Sequence, residues 1–426
     1  MRTHPITVGA IAAIALSLGA GSGYSAEVTL WSHWADHATK VAFVEEAARR
    51  YEEANPDDTV KISWYQKNPL YAALKASLQA GQGPDIFYCE PSQVEYAENG
   101  FLFPLDDHIE WSNVKDWARN VFKRDGKTYG FPLEASTVEL YYNAEKMAEL
   151  GVELPEGKAP DQTAFRAIVE QAAAAGVTPI VQGVGDRPYP GAYLTAELLL
   201  KKLGKDDYEK LLTGGLTFKD PRVVDVFEYV AGLVEAGAYP KSFSTLKLGE
   251  SHYYFHTTPG GVMFPMGSWY TSRAFNDAEH GGQPQDFPLG IMQFPVPDDA
   301  ACPDCKTTNV AGSFCVNADS PHPEKAAGVV NQMASPDMGT RWLTTVLVET
   351  GVKSDPSQIT GKYKPYFDQL QAIDGANEFF VGQPLDHMRG QCAETFKQVM
   401  NAALPAGQID AGTAAEMMDQ ACYAGS

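Results

Sequence analysis

Glu27-Val-Thr-Leu-Trp31, Val41 to Tyr51, Thr59 to Tyr65, Leu70 to Ala80 and Pro84-Asp-Ile-Phe-Tyr-Cys89 follow one another near the start of the chain, and their patterns decide the fold. The first, third and fifth segments are short and rich in β-branched and aromatic residues, as strands require. Between them, Val41, Val44, Ala48 and Tyr51 recur at helical spacing until Asn55-Pro56 stops the run, and a second helical stretch ends at Gly81. Strand, helix, strand, helix, strand predicts an α/β fold built on a mostly parallel sheet flanked by helices.

Outward from this unit the same alternation continues. Phe131 to Glu134 and Leu140 to Asn143 read as strands, and the chain then turns mainly helical to about Gly237. Asp220-Pro221 caps and opens one of these helices, and Val223, Phe227, Val230 and Val234 form its apolar stripe. Strands are predicted again at 261–266, 289–296 and 310–316, followed by helices entered through Ser320-Pro-His-Pro-Glu324 and Ser335-Pro-Asp337. With 426 residues and 44% hydrophobic content the chain exceeds a single core and is expected to form two domains.

Met1-Arg2 and the apolar run Val8 to Ala20, followed by Tyr24-Ser25-Ala26, read as a secretory signal peptide over 1–26. No cysteine precedes Cys89, so no acceptor for a lipid lies near the cleavage point, and the expectation is a periplasmic protein that is not lipid-anchored. The net charge of −21 argues against a nucleic-acid partner. An even count of six cysteines in an oxidising compartment makes disulfides plausible without fixing their connectivity.

A series of segments then resembles, in order, family 1 of the bacterial extracellular solute-binding proteins, the group that includes maltose-binding protein. They are Val28 to Trp31, Phe43 to Pro56, Ala80-Gly-Gln-Gly-Pro-Asp85-Ile86, Tyr96 to Asp107, Asp125-Gly-Lys-Thr-Tyr-Gly130-Phe-Pro132, Leu140 to Asn143, Phe255 to Trp269 and Ala311 to Ala327. The resemblance implies a two-lobed periplasmic-binding-protein fold with discontinuous lobes joined by hinge crossings near 135–140, 305–311 and 345–355. The first lobe would hold 27–138 and 309–348, the second 139–308 and 349–426. It implies a monomer without cofactor, metal or catalytic residues. That monomer would bind a carbohydrate between its lobes and pass it to permease subunits of an ATP-driven importer in the inner membrane.

Ligand crevices in open α/β sheets lie beyond the carboxyl ends of strands. That rule selects Trp31, His33 and Trp34 after the first strand, Glu90, Ser92 and Gln93 after the strand ending at Cys89, and Glu134 near the first crossing. The resemblance adds Trp269, whose family counterpart stacks on sugar rings, Tyr189 in the second lobe, and Ser313. Sugar rings need such aromatic planes and charged or amide groups around their rims. The same set could also cage a quaternary amine or hold a glycerophosphodiester. A secreted carbohydrate-active enzyme, with Glu90 and Glu134 flanking a glycosidic bond, is the rival class.

Cys302-Pro-Asp-Cys305 has no second pair to complete a zinc knuckle and is read as a local disulfide in a loop. In the family's first lobe the strands holding Cys89 and Cys315 are neighbours, so these two pair or stay buried thiols, and Cys392 with Cys422 is a candidate C-terminal staple. His252 and His256 stand four apart but lack the glutamate of a zinc-protease helix, and read as part of a surface segment.

Overall fold

The computed structural model describes residues 25–152, 159–186, 189–257, 260–276 and 281–423. Most of the predicted signal peptide, residues 1–24, lies outside that set. Strand β1 (Glu27–Ser32), helix α1 (Ala38–Ala54), β2 (Thr59–Trp64), α2 (Lys67–Gln79) and β3 (Ile86–Cys89) appear in the predicted order, with β1 parallel to both β2 and β3. Val28 and Leu30 point into a core with Phe43, Val44 and Trp342. Buried carboxylates fix the entries to this unit: Asp85 accepts from Thr29 N at 2.7 Å and Ser320 Oγ at 2.5 Å, and Asp58 accepts from Ala26 N at 3.0 Å and Tyr51 Oη at 2.9 Å.

Nine strands make one sheet, and two long strands join its halves. Phe131–Asn143 is one continuous strand rather than two short ones, because its middle, Ala135 to Thr137, pairs with Val310 to Thr308. The strand predicted from Val310 begins earlier, at Cys305, where a C-terminal segment, Glu378–Val381, adds itself in parallel. These two strands run antiparallel to each other and to β3, Gly261–Gly267 and Leu289–Met292, while parallel pairing returns where Thr178–Ile180 meets Gly261–Gly267.

Each long strand serves two cores. Phe131 and Leu133 pack with β1 and α1, whereas Val138, Leu140 and Tyr141 pack with Leu198, Phe227 and Phe264 in a larger, mainly helical core. Where the strands enter that second core, buried Lys306 pairs with Glu139 at 2.7 Å and Asp374 at 2.6 Å. A lone buried charge would be expensive there, so the three groups fix one another's positions.

The six cysteines form three disulfides, Cys89–Cys315, Cys302–Cys305 and Cys392–Cys422. The first bridges β3 to its antiparallel neighbour and links residues 226 apart, the kind of long closure that restricts an unfolded chain by about 5.4 kcal/mol in the chain-entropy view. The second is the local loop cap expected from its spacing. His252 and His256 correct the sequence reading: both are buried, not on a surface segment. Helix Leu248–His256 turns them against Phe264 and Tyr270, with His256 Nδ1 2.8 Å from the Tyr270 hydroxyl. Burial pushes His256 down to about 4, so its ring is neutral at pH 7. Among the described residues no cluster of three metal-ligating side chains occurs, and no helix is long and apolar enough to cross a membrane.

Candidate functional site

The loop after β1 and the start of α1 carry His33, Trp34, His37 and Lys40; the loop after β3 carries Glu90, Pro91 and Ser92. Together with Glu134 and Val310 of the long strands they wall one side of a chamber of ≈ 150 Å³. The opposite side comes from Tyr193, Leu248, Trp269 and Arg273, and the rim from Gln383, Leu385 and Asp386. The chamber thus lies where the two principal cores meet. A wider groove of ≈ 860 Å³ shares Lys67, Glu90, Ser92 and Leu385 with it and runs on past Gln93, Glu98, Arg389 and Lys397.

Trp269 joins the two sides. It sits in the 3-10 turn Ser268–Tyr270 directly after Gly261–Gly267, half-buried, and packs against both cores. Its indole lies against Gly267, where a Cβ would come within 2.1 Å of Nε1. Glycine is therefore required for the ring to keep this position. His252 lies behind it at 5.7 Å between ring centroids.

Two ion pairs line the facing wall. Lys40 and Glu134 form a buried pair, with the Lys40 ammonium 5.1 Å from the Trp34 ring centroid. Burial pulls Lys40 below its ordinary value, with Arg273 and Lys67 adding to the effect and Glu134 opposing it. Lys67, at the first position of α2, reaches Glu90 at 2.5 Å. Burial works to raise the Glu90 carboxyl, but Lys67 and the hydroxyls of Tyr71 and Tyr88 outweigh it and hold the group below the usual carboxylate range. At the rim, burial pushes Asp386 up to about 7, and the Glu90 charge adds to the rise.

Of the residues singled out from sequence, Trp269, Trp34, His33, Glu90, Ser92 and Glu134 converge on the chamber. Trp34 does so as a core residue, 1% exposed and packed edge-on to Tyr88 and Phe314. Gln93 lines the outer groove, where its Oε1 also accepts from Glu90 N at 2.9 Å. Trp31 and Ser313 are not among the chamber's lining residues. Trp31 packs on Tyr65 at 5.1 Å, and Ser313 is fully buried, donating to Cys89 O at 2.5 Å. Tyr189 falls in a 3-10 turn, and its side chain lies outside the described residues.

Sequence reasoning passed over Lys40, Lys67, Tyr88, Tyr193, Arg273, Asn309 and Asp386. A signal existed for Lys40 alone, as a lysine on the apolar side of α1 between Trp34 and Phe43.

Residues 46–348 match the family model of the bacterial extracellular solute-binding proteins. An arabinooligosaccharide-binding protein of Halalkalibacterium halodurans is 25% identical over 261 residues, 58% of this chain and 55% of the relative. A maltotriose-binding protein of Pyrococcus abyssi is 32% identical over 129 residues, 29% of this chain and 28% of the relative. The chain thus spans about half or less of the length of these curated relatives. In overall fold it is similar to a structure from work on xylan utilization by Caldanaerobius polysaccharolyticus, with a TM-score of 0.80 and 21% identity over 92% of this chain and 99% of the other.

Proposed function

Because the chain belongs to the bacterial extracellular solute-binding proteins, we propose that it is the periplasmic receptor of an ATP-driven importer and holds a carbohydrate in the cleft between two lobes. The observation that carries this reading is the pairing of a half-buried indole, Trp269, with two ion pairs, Lys40–Glu134 and Lys67–Glu90, across one chamber. An aromatic plane covers the C–H face of a sugar ring, and fixed charges accept and donate to the hydroxyls around it. The arabinooligosaccharide and maltotriose binding of its relatives supports the same ligand class. The 860 Å³ groove beyond the chamber leaves space for further sugar units.

Lobes of 27–138 with 309–348, and 139–308 with 349–426, would hinge about the two long strands, and closure would replace the ligand's water with these side chains. Ligand can drive that closure only through its greater affinity for the closed state. The closed form would then dock on permease subunits. Glycoside hydrolysis draws no support from Glu90, since Lys67 stabilises its ionised form whereas a general acid needs a raised pKa.

A thermal-shift screen of residues 27–426 against mono- and oligosaccharides, polyols, glycerophosphodiesters, betaine and choline tests the reading, because a ligand that binds only the folded state raises apparent stability. A shift with one sugar series is expected. A shift confined to quaternary amines or phosphodiesters refutes the carbohydrate assignment, and conversion of a bound oligosaccharide to products refutes the receptor role.

A further inference from the structure

Asn309 sits on the strand Cys305–Val316 at the point where it lies opposite Ser136 of the other long strand. It lines the chamber, is 7% exposed, and its Oδ1 is hidden from solvent without a donor among the described residues. Its neighbours behave differently. Lys40 and Glu134 neutralise each other, Tyr88 donates its hydroxyl proton to Ala311 O at 2.7 Å, and Glu90 is held by Lys67.

A buried amide oxygen without a donor forfeits its hydration and gains nothing in return. Buried acceptors in native proteins are almost always paired, so an orphan on the wall of a cleft marks a place for a donor brought from outside. The backbone of residue 309 is pinned in a central pairing of the sheet, which fixes the point from which its side chain leaves the strand.

We propose that Asn309 is a specificity-determining ligand contact whose carboxamide oxygen accepts a hydrogen bond from a hydroxyl of the bound molecule. This rests on the carbohydrate reading and sharpens it. Betaine carries no O–H or N–H at neutral pH and would leave the oxygen orphaned, whereas a sugar hydroxyl would satisfy it. Sites built around such a contact reject analogues that lack the hydroxyl.

The test replaces Asn309 by Leu, similar in size and free of polar atoms, in the chain comprising residues 27–426. Affinity is measured by calorimetry for xylotriose, chitotriose, raffinose and maltotriose, with thermal unfolding of the ligand-free protein measured in parallel. N309L is expected to weaken the tightest of these sugars by about ten- to a hundredfold. Ligand-free, it should melt at the same temperature as the parent or higher, because an unpaired polar group has been removed. Asn309→Asp retains the acceptor and should lose less affinity than N309L. Equal sugar affinity in N309L and parent overturns the inference while leaving the carbohydrate reading intact. A loss of ligand-free stability in N309L with no greater loss of affinity than in N309D assigns Asn309 a structural role and also overturns it. If none of the sugars binds the parent, the carbohydrate reading fails and the inference falls with it.

Discussion

Replacing Glu134 by Gln should expose the cost of the charge it covers. Lys40 and Glu134 have side chains only 4% and 5% exposed, so little water reaches either. Removing one partner of such a pair typically destabilises by about 3–5 kcal/mol, since the remaining charge stays buried and uncompensated. For about 400 residues at roughly 2.1 cal/mol/K each, the unfolding entropy is near 0.8 kcal/mol/K, so the melting temperature should fall by about 4–6 °C at pH 7. The pH dependence identifies the cause. Burial already depresses Lys40, and without Glu134 its folded-state pKa drops further below the unfolded value. A lysine depressed in the folded state penalises folding while the unfolded chain binds the extra proton, and the penalty shrinks as pH rises toward the ordinary lysine range. Calorimetric melts of parent and E134Q between pH 6 and 10 should therefore converge at the alkaline end. The double variant Lys40→Met with Glu134→Leu should recover most of the loss at pH 7. A deficit in E134Q that is constant with pH, or a double variant no better than the single one, would refute the view that an uncompensated lysine is responsible.

Trp269→Ala should weaken sugar binding by at least tenfold in titration calorimetry while the ligand-free melting temperature changes by only a few degrees, because the indole is half-buried and the adjoining cores retain their own contacts; unchanged affinity would remove it as the stacking plane. Asp386→Asn should stabilise the protein above pH 7 by roughly 1–2 kcal/mol, allowing for partial solvent screening, and the gain should vanish toward pH 4. The sign follows from a folded-state value raised to about 7: the carboxyl's penalty grows as pH climbs from the unfolded value of 3.8 to about 7 and is constant above it. Urea titrations at pH 4 and 8 check this, and an equal effect at both would show that the carboxyl's charge is not involved.

Legibility in the sequence followed the range of the interactions. Helices α1 and α2 and strands β1 to β3 were readable because apolar spacing and Gly or Pro stops act within a few residues. Cys305 to Asn309 was misread as lying before the strand, since it becomes a strand only by pairing with residues near 135 and 380. His252 and His256 were misplaced on the surface for a similar reason: nothing local announces the aromatic residues at 264 and 270 that bury them.

The chamber divides in the same way. By itself the sequence determined an α/β chain whose post-strand residues, His33, Trp34, Glu90 and Ser92, gather at one end of a sheet, because strand direction fixes where such loops emerge. Only the tertiary structure decided that Lys40 neutralises Glu134, that Lys67 holds Glu90, that Asp386 lines the chamber and that Asn309 lines it too, its Oδ1 without a donor among the described residues. These relations join positions up to hundreds of residues apart, and local periodicity carries no information about them. They arise because two cores share a pair of long strands and the charged side chains buried near them must find partners.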